Sequence, residues 1–176
     1  PTDVGEPHVV YYGTSTGRVY KLIGAESGQP VPTEVTGPTM PRGAFVNSIT
    51  VNEADPEHLV VCFSNYGVNS VWETFNGGTS WESISGNLEE NAGGSGNGPA
   101  VNWVGILPTG GLPRLYIAAT STGLYFTPQT NGMTTVWTPT ATEVLGNVPC
   151  DMIDVRPADG VIAVATHGRG ILTGRI

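Results

Sequence analysis

The sequence predicts an all-β fold of short antiparallel strands, and three observations carry that expectation. The chain holds 25 Gly and 14 Pro among 176 residues, a turn density that favours many short strands over helices. No run keeps an i, i+3, i+4, i+7 apolar pattern for three turns, so no helix is expected. Four apolar runs recur along the chain, each closed by small residues and Gly and each followed by a second strand.

The first of these runs is His8–Gly17, followed by Arg18–Leu22. The second is His58–Gly67, followed by Asn69–Thr74. The third is Arg114–Gly123, followed by Leu124–Thr127. The fourth is Gly160–Gly168, followed by Arg169–Leu172. The turn glycines Gly17, Gly67, Gly123 and Gly168 recur at a spacing of about 50 residues, and several strands per period of that length is the signature of propeller blades. A further strand precedes three of the hairpins: Val46–Val51, Val101–Ile106 and Cys150–Val155. Each leads into a connection bearing Pro. Outer strands are expected over Pro32–Thr36, Ser80–Ile84 and Val136–Thr138.

With strands lettered from the axis outward, the order reads B-C-D, A-B-C-D, A-B-C-D, A-B-C. The expectation is therefore one domain over 1–176. It is a partial β-propeller of three to four blades of four-stranded antiparallel sheets, with segments of about 1–40, 41–92, 99–145 and 146–176. The continuous apolar B runs suit strands covered on both faces by neighbouring blades. Gly93–Gly98 reads as a loop insertion.

The stretch Val71–Leu88 contains the sharpest local signal. Asn-Gly between two β-like runs marks a tight hairpin, because both central residues must accept positive φ. The hydroxyls of Thr74 and Ser80 and the amide of Asn76 can bond turn backbone, and Trp81 can pack over the turn.

The formal charge is −8 with only 7 basic residues. This argues against nucleic acid or an anionic membrane as partner, since both demand clustered Lys/Arg. No apolar run is long enough to span a bilayer. Cys62 and Cys150 fall in strands of different units and read as two separate buried thiols, with no spacing that suggests a metal. No cofactor motif is present.

Thr74-x-Asn76-x-Gly78-x-Ser80-Trp81 resembles the Asp-box, or BNR repeat, of sialidase-like and sortilin-like propellers, with Asn76 where Asp is usual. Thr127-x-x-x-Asn131-Gly132 with Trp137 is a degenerate version. The tail Ala165–Ile171 is similar to the closing repeat of large secreted bacterial BNR-repeat propellers described as xyloglucan-hydrolase-like. SITVNEADPEHLVVCFSNYG and TFNGGTSWESISGNL are similar to the same group. The resemblance implies a secreted protein represented by its C-terminal blades, with Thr74, Asn76, Gly78, Ser80 and Trp81 forming a structural turn at a blade's outer edge. Such propellers have more blades than this chain supplies, which implies preceding blades or closure by another copy. The start at Pro1 without Met fits a fragment or processed product.

Catalytic candidates are few. His167 occupies the position held by Thr16, Tyr66 and Thr122 in the other repeats, which marks it as a hairpin corner. Glycosidase chemistry needs two carboxyl groups within about 5–10 Å. Asp151 and Asp154, three apart in a strand, point to opposite faces. Glu73 and Glu82 sit on outer strands, and Glu89 and Glu90 read as solvated. The six arginines are scattered through the repeats. Trp72 and Trp103 are expected between blades, and Tyr66 at an exposed turn. No residue is assigned as catalytic. The expected function is a non-catalytic scaffold, or a part of a secreted propeller that meets a glycan or protein ligand. The alternative is a glycoside hydrolase whose carboxylates come from different blades or chains.

Overall fold

The computed structural model describes residues 8–26, 28–91, 94–109 and 112–175. Part of the expected first blade segment (1–7) and residue 93 of the expected loop insertion lie outside the described residues. Sheet I comprises β1 (Val10–Gly13), β2 (Val19–Leu22) and β3 (Thr33–Glu34). Sheet II comprises β4 (Val46–Asn52), β5 (Asp55–Phe63), β6 (Val71–Thr74) and β7 (Glu82–Ser83). Sheet III comprises β8 (Val101–Thr109), β9 (Leu112–Thr120), β10 (Gly123–Thr127) and β11 (Thr138–Thr140). Sheet IV comprises β12 (Cys150–Arg156), β13 (Val161–Thr166) and β14 (Gly170–Arg175).

All pairings within these sheets are antiparallel, and the strands follow one another in chain order. This is the all-β architecture and strand order that the repeats predict. The outer strands are shorter than expected or shifted. β11 begins at Thr138 because Trp137 turns inward before it. One turn of helix, α1 (Thr142–Leu145), links β11 to β12. It is too short to leave a helical period in the sequence.

The sheets stack face to face with one apolar layer between each neighbouring pair. Along β5 the side chains alternate between two layers. Leu59, Val61 and Phe63 enter the layer shared with sheet I, while Val60 and Cys62 enter the layer shared with sheet III. All five are fully buried, which is why this strand reads as a continuous apolar run rather than an alternating one. Each such side chain contributes about 1.5–3 kcal/mol of transfer free energy. The third layer lies between sheets III and IV and contains Ile117, Ala119, Ile153, Ile162 and Val164. Cys62 and Cys150 are both free and buried. Burial pushes the Cys62 thiol up to about 12.

Each of β4, β8 and β12 shifts register near its start, between Val46 and Ser48, Val101 and Trp103, and Cys150 and Met152. The extra residues are Asn47, Asn102 and Asp151. An unpaired bulge residue is free to re-aim its side chain, and the two asparagines reach the next sheet. Asn47 Nδ2 donates to the Asn102 carbonyl at 2.7 Å, and Asn102 Nδ2 donates to the Cys150 carbonyl at 2.9 Å. Asp151 is the inserted residue of its bulge, so alternation along the strand does not fix its side, and of the two carboxylates only Asp154 lines the groove described below. Both carboxylates are exposed.

The turn glycines differ in what constrains them. Gly17 has φ +79°, and a Cβ there would lie 2.3 Å from the Pro41 carbonyl oxygen. Gly67 has φ +74° but open space around it. Gly17→Ala is therefore expected to destabilise the fold by about 2–4 kcal/mol, combining left-handed strain with a backbone clash, while Gly67→Ala is expected to lose only about 1 kcal/mol. Urea unfolding of the two variants side by side checks this ordering.

Candidate functional site

The inner strands β4, β8 and β12 run side by side, with β1 beyond β4, and their exposed surface forms a concave groove of about 520 Å³. Gly105 makes this packing possible. A Cβ on it would lie 2.9 Å from Val155 Cγ2 and 3.1 Å from Ile153 Cγ2, so β12 closes against β8 only because position 105 lacks a side chain. Tyr12 and Trp103 contribute rings to the groove, and Glu53 and Asp154 contribute carboxylates. Tyr12 is stacked on Tyr20 with centroids 5.2 Å apart, which fixes its plane. Trp103 packs at the edge of the third apolar layer and still lines the groove.

Glu53 sits in the turn between β4 and β5, and Asp154 lies within β12. One whole sheet, sheet III, separates their positions in the chain, yet both face one cavity. Asp151 does not line it. Glu53 was not among the sequence candidates. Its signal was available, since it follows an inner strand at the position occupied by Pro108 and Pro157 in the next two repeats.

A second polar cluster lies away from the groove, between sheets II and III. His58 is fully buried, and its Nε2 lies 2.7 Å from Glu73 Oε1. Tyr116 from β9 donates its hydroxyl to the same Glu73 oxygen at 2.7 Å. Asn52 Nδ2 lies 3.0 Å from His58 Nδ1, and Asn52 Oδ1 accepts the Ala54 N–H at 3.1 Å. The Ala54 bond orients the amide, so Nδ1 accepts and Nε2–H donates. Phe75 covers the imidazole at 4.4 Å, nearly parallel. Burial, and then the neighbouring Glu73 carboxylate, push the Tyr116 hydroxyl above its ordinary range. Glu73 lies on β6, which is flanked by β7 and so is not the outermost strand that was expected, and it is 3% exposed. It acts as an acceptor joining two sheets.

The residues of the Thr74–Trp81 turn form one hydrogen-bonded unit. Thr74 Oγ1 accepts from the N–H of Asn76 and of Gly78, and it donates to Asn76 Oδ1 at 2.8 Å. Asn76 Oδ1 also accepts the Ser80 N–H at 2.9 Å, and its Nδ2 donates to Ser80 Oγ. Trp81 turns away toward sheet I, where its Nε1–H reaches the Val35 carbonyl at 2.7 Å.

His167 is an exposed turn residue, and the Arg169 guanidinium donates to the Val144 carbonyl. The other five arginines each meet a surface carboxylate: Arg18 and Arg42 at Glu34, Arg114 at Asp55, and Arg156 and Arg175 at Asp159. None lines the groove. Glu89 is half-buried rather than solvated. Burial raises its carboxyl above the ordinary range despite hydrogen bonds from the Ser70 hydroxyl and N–H. Tyr66 is exposed and Trp72 is buried. Among the described residues no group of three or more His, Cys, Asp or Glu could hold a metal ion, and no helix is long and apolar enough to cross a membrane.

No protein-family profile matches the chain, and no curated protein matches it. Among solved structures, an ancestral GH74 enzyme, a β-propeller, is similar with a TM-score of 0.66 and 15% identity, over 94% of this chain and 21% of that one. The chain thus spans about one fifth of that enzyme's length. At this identity the likeness is one of fold.

Proposed function

We propose that the chain is a carbohydrate-binding part of a secreted propeller of the BNR-repeat type, with the groove along β4, β8 and β12 as the binding surface. The observation that carries this reading is the lining of the groove. Rings that stack on the C–H faces of sugars (Tyr12, Trp103) stand beside carboxylates that accept from hydroxyls (Glu53, Asp154). A concave site with a few convergent polar groups among apolar ones is the general form of a small-molecule site. The net charge of −8 disfavours polyanions, so a neutral polysaccharide chain is the ligand class. The similarity to a glycoside hydrolase fold agrees with this choice of ligand.

Glycoside hydrolysis is the second reading, favoured by one observation. Glu53 and Asp154 come from different sheets and face a common groove, as an acid and a base or nucleophile must.

Isothermal titration with xyloglucan and mixed-linkage glucan oligosaccharides tests binding. Trp103→Ala is expected to weaken it at least ~10-fold through loss of a stacking ring, with Tyr66→Ala, at an exposed turn elsewhere, leaving it unchanged. Absence of binding to a panel of neutral polysaccharides would remove the proposal. Reducing-end release that disappears in both Glu53→Gln and Asp154→Asn would establish the hydrolase. Binding without release in the parent protein leaves the non-catalytic reading.

A further inference from the structure

The turn that carries Glu53 to the groove lacks the backbone chemistry of a tight hairpin. Asn52 pairs with Asp55 across it, so Glu53 and Ala54 are its two central residues. Two-residue loops between antiparallel strands favour positive φ there, because only those turns match the twist of the strands. Neither Glu53 nor Ala54 has a positive φ. The corresponding turn of sheet IV is self-contained. Its Gly160 has φ +68°, and the Asp159 and Gly160 N–H groups both donate to the Arg156 carbonyl.

The turn of sheet II is held from inside by a side chain. Asn52 is 2% exposed, and its Oδ1 reaches across Glu53 to accept the Ala54 N–H at 3.1 Å. Its Nδ2 is fixed on His58 Nδ1 at 3.0 Å. The register of β4 on β5 places His58 there. Val51 pairs with Leu59 and Asn52 with Asp55, so Pro56, Glu57 and His58 bulge from the ladder with no residue opposite them. A bulged residue is free to re-aim its side chain, and His58 enters the space between Asn52 and Glu73. A continuous polar strut thus runs from Glu73 on β6 through His58 and Asn52 to the Ala54 N–H, and Glu53 is the residue it encloses.

We propose that Asn52 and His58 are positioning residues for Glu53: together they hold the turn in the form that presents the Glu53 carboxylate to the groove. This role rests on the groove being the sugar-binding surface proposed above. Neither Asn52 nor His58 lines the groove, so both act on a ligand only through the turn. Glu53 and Ala54 are exposed, and no packing replaces the strut once it is cut. The carboxylate then spreads over several turn conformations, and a ligand must order it again on binding.

Two measurements test this role, the first without ligand. In NMR spectra of the full chain, Asn52→Ala is expected to move the Glu53 and Ala54 amide resonances and to speed Ala54 amide exchange at least ~10-fold. The Val61 resonance, in the middle of β5, should stay in place and report an intact sheet. His58→Leu is expected to act as Asn52→Ala does, and His58→Asn, whose side-chain oxygen accepts in place of Nδ1, to restore the parent pattern. Tyr116→Phe loosens the buried cluster from its far side and should leave both turn amides as they are. An unchanged turn in Asn52→Ala, or an equal disturbance in Tyr116→Phe, overturns the role whether or not a sugar binds. The second measurement is a double-mutant cycle in affinity for xyloglucan and mixed-linkage glucan oligosaccharides. Asn52→Ala is expected to weaken binding about 5-fold and to have no further effect in a Glu53→Ala background. Equal losses in both backgrounds would show that Asn52 does not act through Glu53 and would also overturn the role. If the parent protein binds no sugar, the reading of the groove fails, and the ligand-free comparison alone decides whether the strut holds the turn.

Discussion

Glu73→Ala is expected to destabilise the protein by about 3–5 kcal/mol, the range seen when one partner of a buried polar pair is removed. The carboxylate is the shared acceptor for His58 Nε2–H and the Tyr116 hydroxyl, each at 2.7 Å. Alanine leaves the buried His58 Nε2–H without its acceptor and takes from the Tyr116 hydroxyl its 2.7 Å partner, and each orphaned group costs roughly 1–3 kcal/mol. The imidazole cannot turn away, because Asn52 holds its far side and Phe75 covers its face. Tyr116→Phe deletes one donor and leaves the acceptor bonded to the other, so its expected loss is smaller, about 1–2 kcal/mol. A double-mutant cycle of Glu73→Gln with Tyr116→Phe separates coupling from packing. A coupling energy near zero, measured by urea unfolding at unchanged m, would show that the cluster acts through shape alone.

Trp137→Ala is expected to cost about 3–5 kcal/mol, as for other large-to-small changes at fully buried aromatic positions. Its ring lies in the layer between sheets II and III, and its backbone and side chain are tied to sheet II three times. Trp137 N–H donates to Asn87 Oδ1 at 2.6 Å, Asn87 Nδ2 donates to its carbonyl at 3.0 Å, and its Nε1–H reaches Ile84. Trp137→Phe keeps most of the ring and both backbone bonds. Its expected loss is about 1–2 kcal/mol, most of it from the Ile84 carbonyl left without its donor. Thermal unfolding of the two variants gives the comparison. Equal losses would mean that the indole N–H, and not the ring, holds the interface.

The sheets were legible in the sequence because strand identity is local. An apolar run such as Leu59–Phe63 needs cover on both faces, and the recurrence of turn glycines gave the order of strands. The register was not legible. The extra residues Asn47, Asn102 and Asp151 are defined only by what lies opposite them on the partner strand, so alternation counted along the sequence cannot place Asp151. The buried cluster was half visible. In Val71–Thr74, Glu73 shares a face with Val71, and an acid on the buried face of a strand calls for a partner. That partner comes from positions 58 and 116, which only the packing of one sheet on the next brings together. The groove was not legible for a similar reason, since Asp154 stood among the carboxylate candidates and Glu53 did not, and the two acquire meaning only in a common cavity.

The side-chain reach of Asn47 and Asn102 into the next sheet makes the molecule a line of nearest neighbours. Sheets II and III are each held from both sides, whereas sheets I and IV are each held from one among the described residues. In such a system stability is close to a sum of unit and interface terms, and opening starts from the ends. Amide hydrogen exchange should therefore form a gradient along the stack. It should be slowest in β5 and β9 and fastest in β14, whose residues are mostly exposed. Partial unfolding would release a terminal sheet while the two central sheets stay paired.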